Sequence, residues 1–268
     1  DTEDSASKIA EGFTSYYKPL FTAKQNDAAA AKEAADTLLD GNRVLKPTAH
    51  KCGAPITMTE VRHTSVYLPT GKSPGPDRIP NAFYKTLSKV VSPILAKVFN
   101  ESVIEGSLPT TMMEGTISVL YKKNNRDDPR NYRPITLLNN DYKILMRILT
   151  QRMNEAVVQF VSADQNGFVP HAFIAENIMR LQLLQEYIED QNIAALYLFC
   201  DMEKAFDKCS WDFLIQGLDN VGLGATSGAA PPGTDSFQSE YGVDRSFIDF
   251  VKLAYSTAHP PKRRMYVN

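Results

Sequence analysis

Two aspartates placed just beyond an apolar run make the sharpest chemical suggestion in this sequence. Ala194-Ala195-Leu196-Tyr197-Leu198-Phe199-Cys200 is continuously apolar over strand length, which suits a strand buried on both faces. Asp201 follows at once, and Asp207 closes the segment Asp201-Met202-Glu203-Lys204-Ala205-Phe206-Asp207. A carboxylate at the lip of a buried strand can hold a hard divalent cation and still reach a phosphate, because the chain turns away and leaves one side open. The plainer alternative is a helix cap or a surface ion pair. A second set is basic: Lys122, Lys123 and Arg133 lie on or beside a turn, and a flap carrying them could close on a triphosphate, with arginine offering a bidentate fork. Charge at a turn is otherwise ordinary solvated surface. Pro134 forces Arg133 into an extended backbone and so fixes where its side chain starts.

Other candidate chemistries fall away. Gly71-Lys72-Ser73 resembles the end of a P-loop, but Val66 stands where the earlier glycine is required, and Pro74 and Pro76 spoil the helix that should face the phosphate. His50, His63, His171 and His259 have no carboxylate, serine or cysteine at a nucleophile spacing. Cys52, Cys200 and Cys209 are odd in number and lack CxxC spacing, which argues against a disulfide framework or zinc site and for a reducing compartment. Tyr16, Tyr17, Phe21, Tyr67, Phe83 and Tyr84 could stack on bases, although their helical spacing equally makes them core.

The elements that would position these residues can be read from periodicity. Ser5 to Phe21 and the alanine-rich Asp27 to Leu39 predict two helices, an appended arm. Thr57 or Thr59 caps a short helix in a capping-box pattern with Glu60, ending before Pro69. Gly71 to Asp77 must be a shaped loop. Apolar residues from Phe83 to Phe99 predict a helix through Ser102, broken or kinked at Pro93 and stopped near Gly106. Thr116 to Tyr121 and Tyr132 to Leu137 predict an antiparallel hairpin with basic flanks. Long amphipathic helices follow from Asp141 and again from Ile174 to Ile188. Ser210 caps a helix carrying Trp211, Leu214, Ile215 and Leu218. Gly222 to Gly242 reads as a flexible insertion, and Phe247 to Leu253 as a final short helix.

Composition bounds the rest. The chain has 268 residues, 43% hydrophobic and 22% charged, which describes an ordinary globular protein of one large domain or two unequal lobes. No run approaches the roughly 18 apolar residues of a membrane span. Net charge is -2, so any nucleic-acid partner must be held locally, and basic residues outnumber acidic ones between Tyr121 and Arg152. Asp1 and the strand-like Met265-Tyr266-Val267 near Asn268 read as cut ends.

Several segments, in order, resemble non-LTR (LINE-type) retrotransposon reverse transcriptases. Lys72-Ser73-Pro74-Gly75-Pro76-Asp77 is similar to the family's KSPGPDG loop. Asn131-Tyr132-Arg133-Pro134-Ile135-Thr136-Leu137-Leu138 with Asp141-Tyr142-Lys143-Ile144 is similar to its NYRPISLL and YKI segment, Gln165-Asn166-Gly167-Phe168 to its QSGF, and Phe199 to Asp207 to its D-x-x-K-A-F-D palm segment. The resemblance implies an α+β right-hand polymerase: a helical arm at 1–56, fingers with a β-hairpin and early palm helices at 57–192, and a partial palm with a central strand at 193–268. It implies that Asp201 and the carbonyl of Met202 contact two Mg²⁺ ions. Lys122, Lys123 and Arg133 would grip an incoming dNTP, and Phe206 would fill the space of a ribose 2′-hydroxyl. Asp207, Lys204 and Gly167 would be structural neighbours of that site. Implied partners are an RNA template and a DNA primer or target, without a membrane, and the implied location is intracellular and nuclear.

The sequence departs from the family at Arg78, where glycine is usual, and at His171-Ala172, where Gly-Arg is usual; the 222–242 link is also longer. Neither the family's RQG-type segment nor its paired-aspartate ADD hairpin occurs in these residues, so the expectation is that this chain alone does not polymerise DNA. The alternative from another class is a non-catalytic remnant that binds RNA or a protein. A group II intron-like polymerase fits less well, because the link between hairpin and palm segment contains Gln165-Asn166-Gly167-Phe168.

Overall fold

Thr57 sets the start of a helix that packs into the core. Its hydroxyl accepts from the Glu60 backbone N–H while the Glu60 carboxylate accepts from the Thr57 N–H, a complete capping box that starts one helix and turns Glu60 inward. In the computed structural model, which describes residues 2–21, 28–38, 43–202, 205–226, 245–255 and 263–266, the elements run α1 (Thr2–Phe21), α2 (Ala28–Leu38), α3 (Lys46–Gly53), α4 (Met58–Val66), α5 (Asn81–Thr86), α6 (Ser88–Glu105), β1 (Gly115–Tyr121), β2 (Tyr132–Leu138), α7 (Asn140–Phe160), α8 (Ala175–Asp190), α9 (Ala205–Lys208), α10 (Trp211–Asn220), α11 (Phe247–Ala254) and β3 (Arg263–Tyr266). Among the described residues no helix is long and apolar enough to cross a membrane.

The spine of the core is α7. Ile144, Leu145, Ile148, Leu149 and Ala156 recur along one stripe and share one buried cluster with Val61 of α4, Leu95, Ala96 and Phe99 of α6, and Phe247, Phe250, Val251 and Leu253 of α11. Arg152 lies on that same stripe. Its guanidinium donates to both carboxylate oxygens of Glu60 and to the carbonyls of Cys52, Ala54 and Pro55, and stands over the Phe250 ring. It therefore ties α3, α4, α7 and α11 together, and does not belong to the basic surface with which the sequence groups it.

The sheet has the order β2-β1-β3, with β1 antiparallel to β2 and parallel to β3. Pro134 pairs with Val119. The bond from Lys122 N–H to the Asn131 carbonyl fixes which rungs are bonded, and by alternation Pro134 falls on an unbonded one. Its missing N–H would have pointed to the free edge of β2, where a proline is tolerated.

Three expectations need correction. The helix break is at Leu87, which ends α5 and starts α6, and Pro93 sits inside α6. Pro93 and Lys89, whose carbonyl loses its donor, are both exposed, so water can satisfy that carbonyl; Gly106 ends the helix in the left-handed region as expected. The central palm strand is not formed: 194–200 has no regular structure and is exposed, with Leu196 at 92%. A strand buried on both faces needs a hydrogen-bonding partner and two covering layers, and among the described residues none pairs with it. Finally, α8 forms where expected but buries none of its residues, leaving Ile178, Leu183 and Leu184 exposed. The insertion at 222–242 lies largely outside the described residues.

Candidate active site

The basic flap is built by strand alternation. Ile117 and Val119 point inward, while Leu120 and its partner Arg133 point outward; Lys122 continues the outward parity one rung further. Lys122 and Arg133 thus share the outer face of the hairpin, both exposed, with Lys123 beside them. Helix α1 covers the inner face. Phe13 meets Tyr132 edge-on at 4.8 Å, Tyr17 is buried with Val119, and the Tyr17 hydroxyl donates to the Tyr132 carbonyl at 2.9 Å. Tyr17 is therefore a packing residue, as is the buried Tyr84, whereas Tyr67 and Phe83 remain exposed.

The tip of the flap is ordered by its own polar groups. The Asn125 side chain accepts from Asp127 N–H, its carbonyl accepts from the Asn131 amide, and Tyr132 donates to the Arg126 carbonyl. Arg126 lies over the Tyr121 ring at 4.8 Å. Arg130 is bound to Asp128, which lowers the aspartate's pKa through the hydrogen bonds and charge of Arg130. Asp127-Asp128 is accordingly part of the turn and unlike a metal-binding pair.

The loop at 71–78 is clamped on the start of α7. Asn139 Oδ1 accepts from Asp77 N–H while its amide donates to the Thr111 carbonyl at 2.7 Å, and Asn140 donates to the Ile79 carbonyl at 2.7 Å. A Cβ on Gly75 would run into Asn139 and the Leu138 carbonyl carbon, so glycine is required there. Asp77, Tyr84, Asp141 and Lys143 gather beneath. Burial, then the charge of Asp77, raises the Asp141 carboxyl; burial, then Asp141 and Asp77, raises the Tyr84 hydroxyl; burial lowers Lys143 against the opposing pull of Asp77. Asn139 takes the N-cap position of α7, but its side chain makes no cap bond and is committed to the loop clamp instead.

Asp201 and Met202 are exposed and lie in no regular element. Phe206, on α9, is 84% exposed and meets Phe168 of the QNGF segment edge-on, centroids 5.9 Å apart. Gly167 precedes that ring, its carbonyl bound by the Gln165 amide at 2.9 Å. Helix α1 packs against both α9 and the 3-10 turn at Pro129–Asn131, so one element touches the flap and the Phe206 segment. Lys204 and the side chain of Asp207 lie outside the described residues. Among the described residues no three His, Cys, Asp or Glu side chains converge to hold a metal ion.

Residues 120–230 match the family described as Reverse transcriptase (RNA-dependent DNA polymerase), a span that starts in β1 and holds Lys122, Arg133, Phe168, Asp201 and Phe206. Over 217 residues the chain is 28% identical to the transposon TX1 uncharacterized 149 kDa protein of Xenopus laevis, covering 81% of this chain and 16% of that protein. It is 27% identical over 207 residues to a probable RNA-directed DNA polymerase from transposon BS of Drosophila melanogaster, covering 75% and 22%. With the probable RNA-directed DNA polymerase from transposon X-element of the same organism it shares 30% identity over 159 residues, 58% and 17%. Over residues 120–230 the chain is similar to the reverse transcriptase family, and the relatives it matches are proteins of transposons. Two of these relatives carry the name of probable RNA-directed DNA polymerases. The chain spans between 16% and 22% of the length of these curated relatives.

Two turns have an unusual backbone: Arg78 and His171 are left-handed, at φ 59° and 65°, a conformation that glycine adopts freely and that other residues rarely take.

Proposed function

We propose that this chain supplies the fingers and first palm segment of a polymerase that copies retrotransposon RNA into DNA, adding dNTPs to a primer 3′-hydroxyl. The arm would span 1–56, the fingers 57–192 and the partial palm 193–268. The observation that carries the reading is the matched span itself, which joins an outward-facing pair of cations, Lys122 and Arg133, to the Asp201–Phe206 segment in the family's order. On this reading Lys122, Lys123 and Arg133 bind the triphosphate and offset charge developing on it, and Phe206 crowds a ribose 2′-hydroxyl. Asp201 and the Met202 carbonyl would contact Mg²⁺ ions of a two-metal site that needs further carboxylates. The chain by itself is then inactive, its partners are RNA template, DNA primer and dNTP, and its site of action is the nucleus.

Primer extension on an RNA template with Mg²⁺ and dNTPs tests this. No synthesis is expected from the 268 residues, and robust template-dependent synthesis overturns the claim of inactivity. The exposed, unpaired 194–200 segment favours a second reading, a non-catalytic remnant binding RNA or protein. The reading frame past Asn268 separates the two: a Gln-Gly segment followed by Asp-Asp supports the polymerase, and a stop codon the remnant.

A further inference from the structure

We propose that Phe168 is a positioning residue for Phe206, holding that ring in the orientation from which it crowds a nucleotide sugar. The inference rests on the reading of Phe206 as the sugar gate.

Phe206 sits on a four-residue helix with most of its ring in solvent. A side chain so little packed would sample several staggered rotamers, each aiming the ring elsewhere. Its ring neighbour among the described residues is Phe168, at 5.9 Å between centroids and 87° between planes, within the favoured edge-to-face geometry. Phe168 is itself unusual twice over. It is 94% exposed, and its backbone is left-handed at φ 63°, a region a bulky residue rarely adopts. A strained backbone that puts a large apolar ring into water persists only where the surroundings impose it.

Those surroundings are a set of polar anchors. The buried Asn166 amide donates to Asn177 Oδ1 at 2.7 Å on α8, Arg180 of the same helix donates to Asp164 at 2.9 Å, and Gln165 closes the turn on the Gly167 carbonyl. Helix α8 thus fixes the pose of the loop and the direction in which the Phe168 side chain leaves it, and the edge-to-face contact restricts both rings. The same chain of contacts gives the QNGF segment a role: it is the stem that holds up a ring.

The test has two readouts. With 4-fluorophenylalanine at position 206 of this chain, Phe168→Leu should shift the fluorine resonance through loss of the ring current, while Phe168→Tyr should leave it in place. In the full-length product of the reading frame, Phe168→Leu should lower the preference for dTTP over UTP by roughly 2- to 10-fold, the span an edge-to-face pair commonly carries, with Phe168→Tyr restoring it. A fluorine resonance indifferent to Phe168→Leu overturns the inference alone. A resonance that moves while sugar preference stays the same overturns the positioning role. A wild-type product with no sugar preference, or no extension, sinks the gate reading of Phe206 and this inference with it.

Discussion

Arg152 donates to both carboxylate oxygens of Glu60, from Nε at 2.8 Å and from Nη2 at 2.9 Å, and its remaining N–H groups meet the carbonyls of Cys52, Ala54 and Pro55. The side chain is 9% exposed. Removing it leaves a partly buried carboxylate and three carbonyls without their donor, so Arg152→Ala should lower stability by roughly 2–4 kcal/mol. Urea unfolding of the two chains measures this, and a loss under about 1 kcal/mol would show that the knot does not join the four helices.

The same pair makes stability depend on pH. Burial pushes the Glu60 carboxyl up, but the Arg152 hydrogen bonds and charge, with the hydrogen bonds of Thr57, outweigh it and hold the carboxyl below its ordinary value. A depressed folded pKa contributes stability that is present above the unfolded value and lost as pH falls through the folded one. Unfolding free energy should therefore fall on acidification below about pH 4.3, the ordinary glutamate value, and Glu60→Gln should flatten that part of the profile. Identical slopes in both chains would exclude Glu60 as the source.

Asp141 should act in the opposite sense. Burial, then the nearby charge of Asp77, raises its carboxyl, so its contribution is greatest below the unfolded aspartate value and is lost as pH rises through the folded one. Asp141→Asn should therefore stabilise the chain at neutral pH, with the difference vanishing in acid. Paired denaturation curves across that range decide it, and a constant offset at every pH counts against the mechanism.

Much of this frame is legible because its signals are local. The Thr57 capping box, the Gly106 stop, the alternation of Thr116 to Tyr121 and the stripe along α7 all concern residues within one or two turns of each other. Asp201 shows the limit. Its apolar run has strand composition, but a strand exists only through its neighbours, and composition cannot supply them. Arg152 failed for a related reason: arginine is usually at the surface, and only the carbonyls that α3 presents from a hundred residues away make it an interior residue. The contact of Phe168 with Phe206 likewise joins two segments through space, with no signature in either.

The brace on the flap can be tested at one atom. Tyr17→Phe removes the hydroxyl that donates to the Tyr132 carbonyl and should cost about 0.5–1.5 kcal/mol. Because the lost bond lies on the hairpin, hydrogen exchange at the Lys122 amide, which bonds to Asn131, should quicken more than exchange in α7. Uniform quickening would mean a global loss and no specific bracing.

Arg133 carries the proposed grip on the triphosphate from the outer face of the flap. If a guanidinium–phosphate contact is lost, Arg133→Ala in the full-length product should raise the KM for dNTP on the order of 10- to 100-fold. Arg133→Lys should recover only part of it, because an ammonium cannot form the paired bond. Equal recovery by lysine would leave simple charge as the explanation.

The left-handed turns at Arg78 and His171 give the last prediction. A non-glycine residue at such a φ is strained by about 1–2 kcal/mol, and glycine relieves that strain while adding roughly 0.4–1 kcal/mol of unfolded-chain entropy. The two effects leave a net gain, so Arg78→Gly and His171→Gly should each stabilise the chain by about 0.5–1 kcal/mol. Their combined effect should be additive if the two turns are independent, since Arg78 follows the Asn139 clamp and His171 follows the QNGF stem. Thermal unfolding of the single and double variants measures this. A loss of stability at either site would mean that the side chain makes contacts worth more than the strain, and that the departure from glycine is itself a stabilising feature.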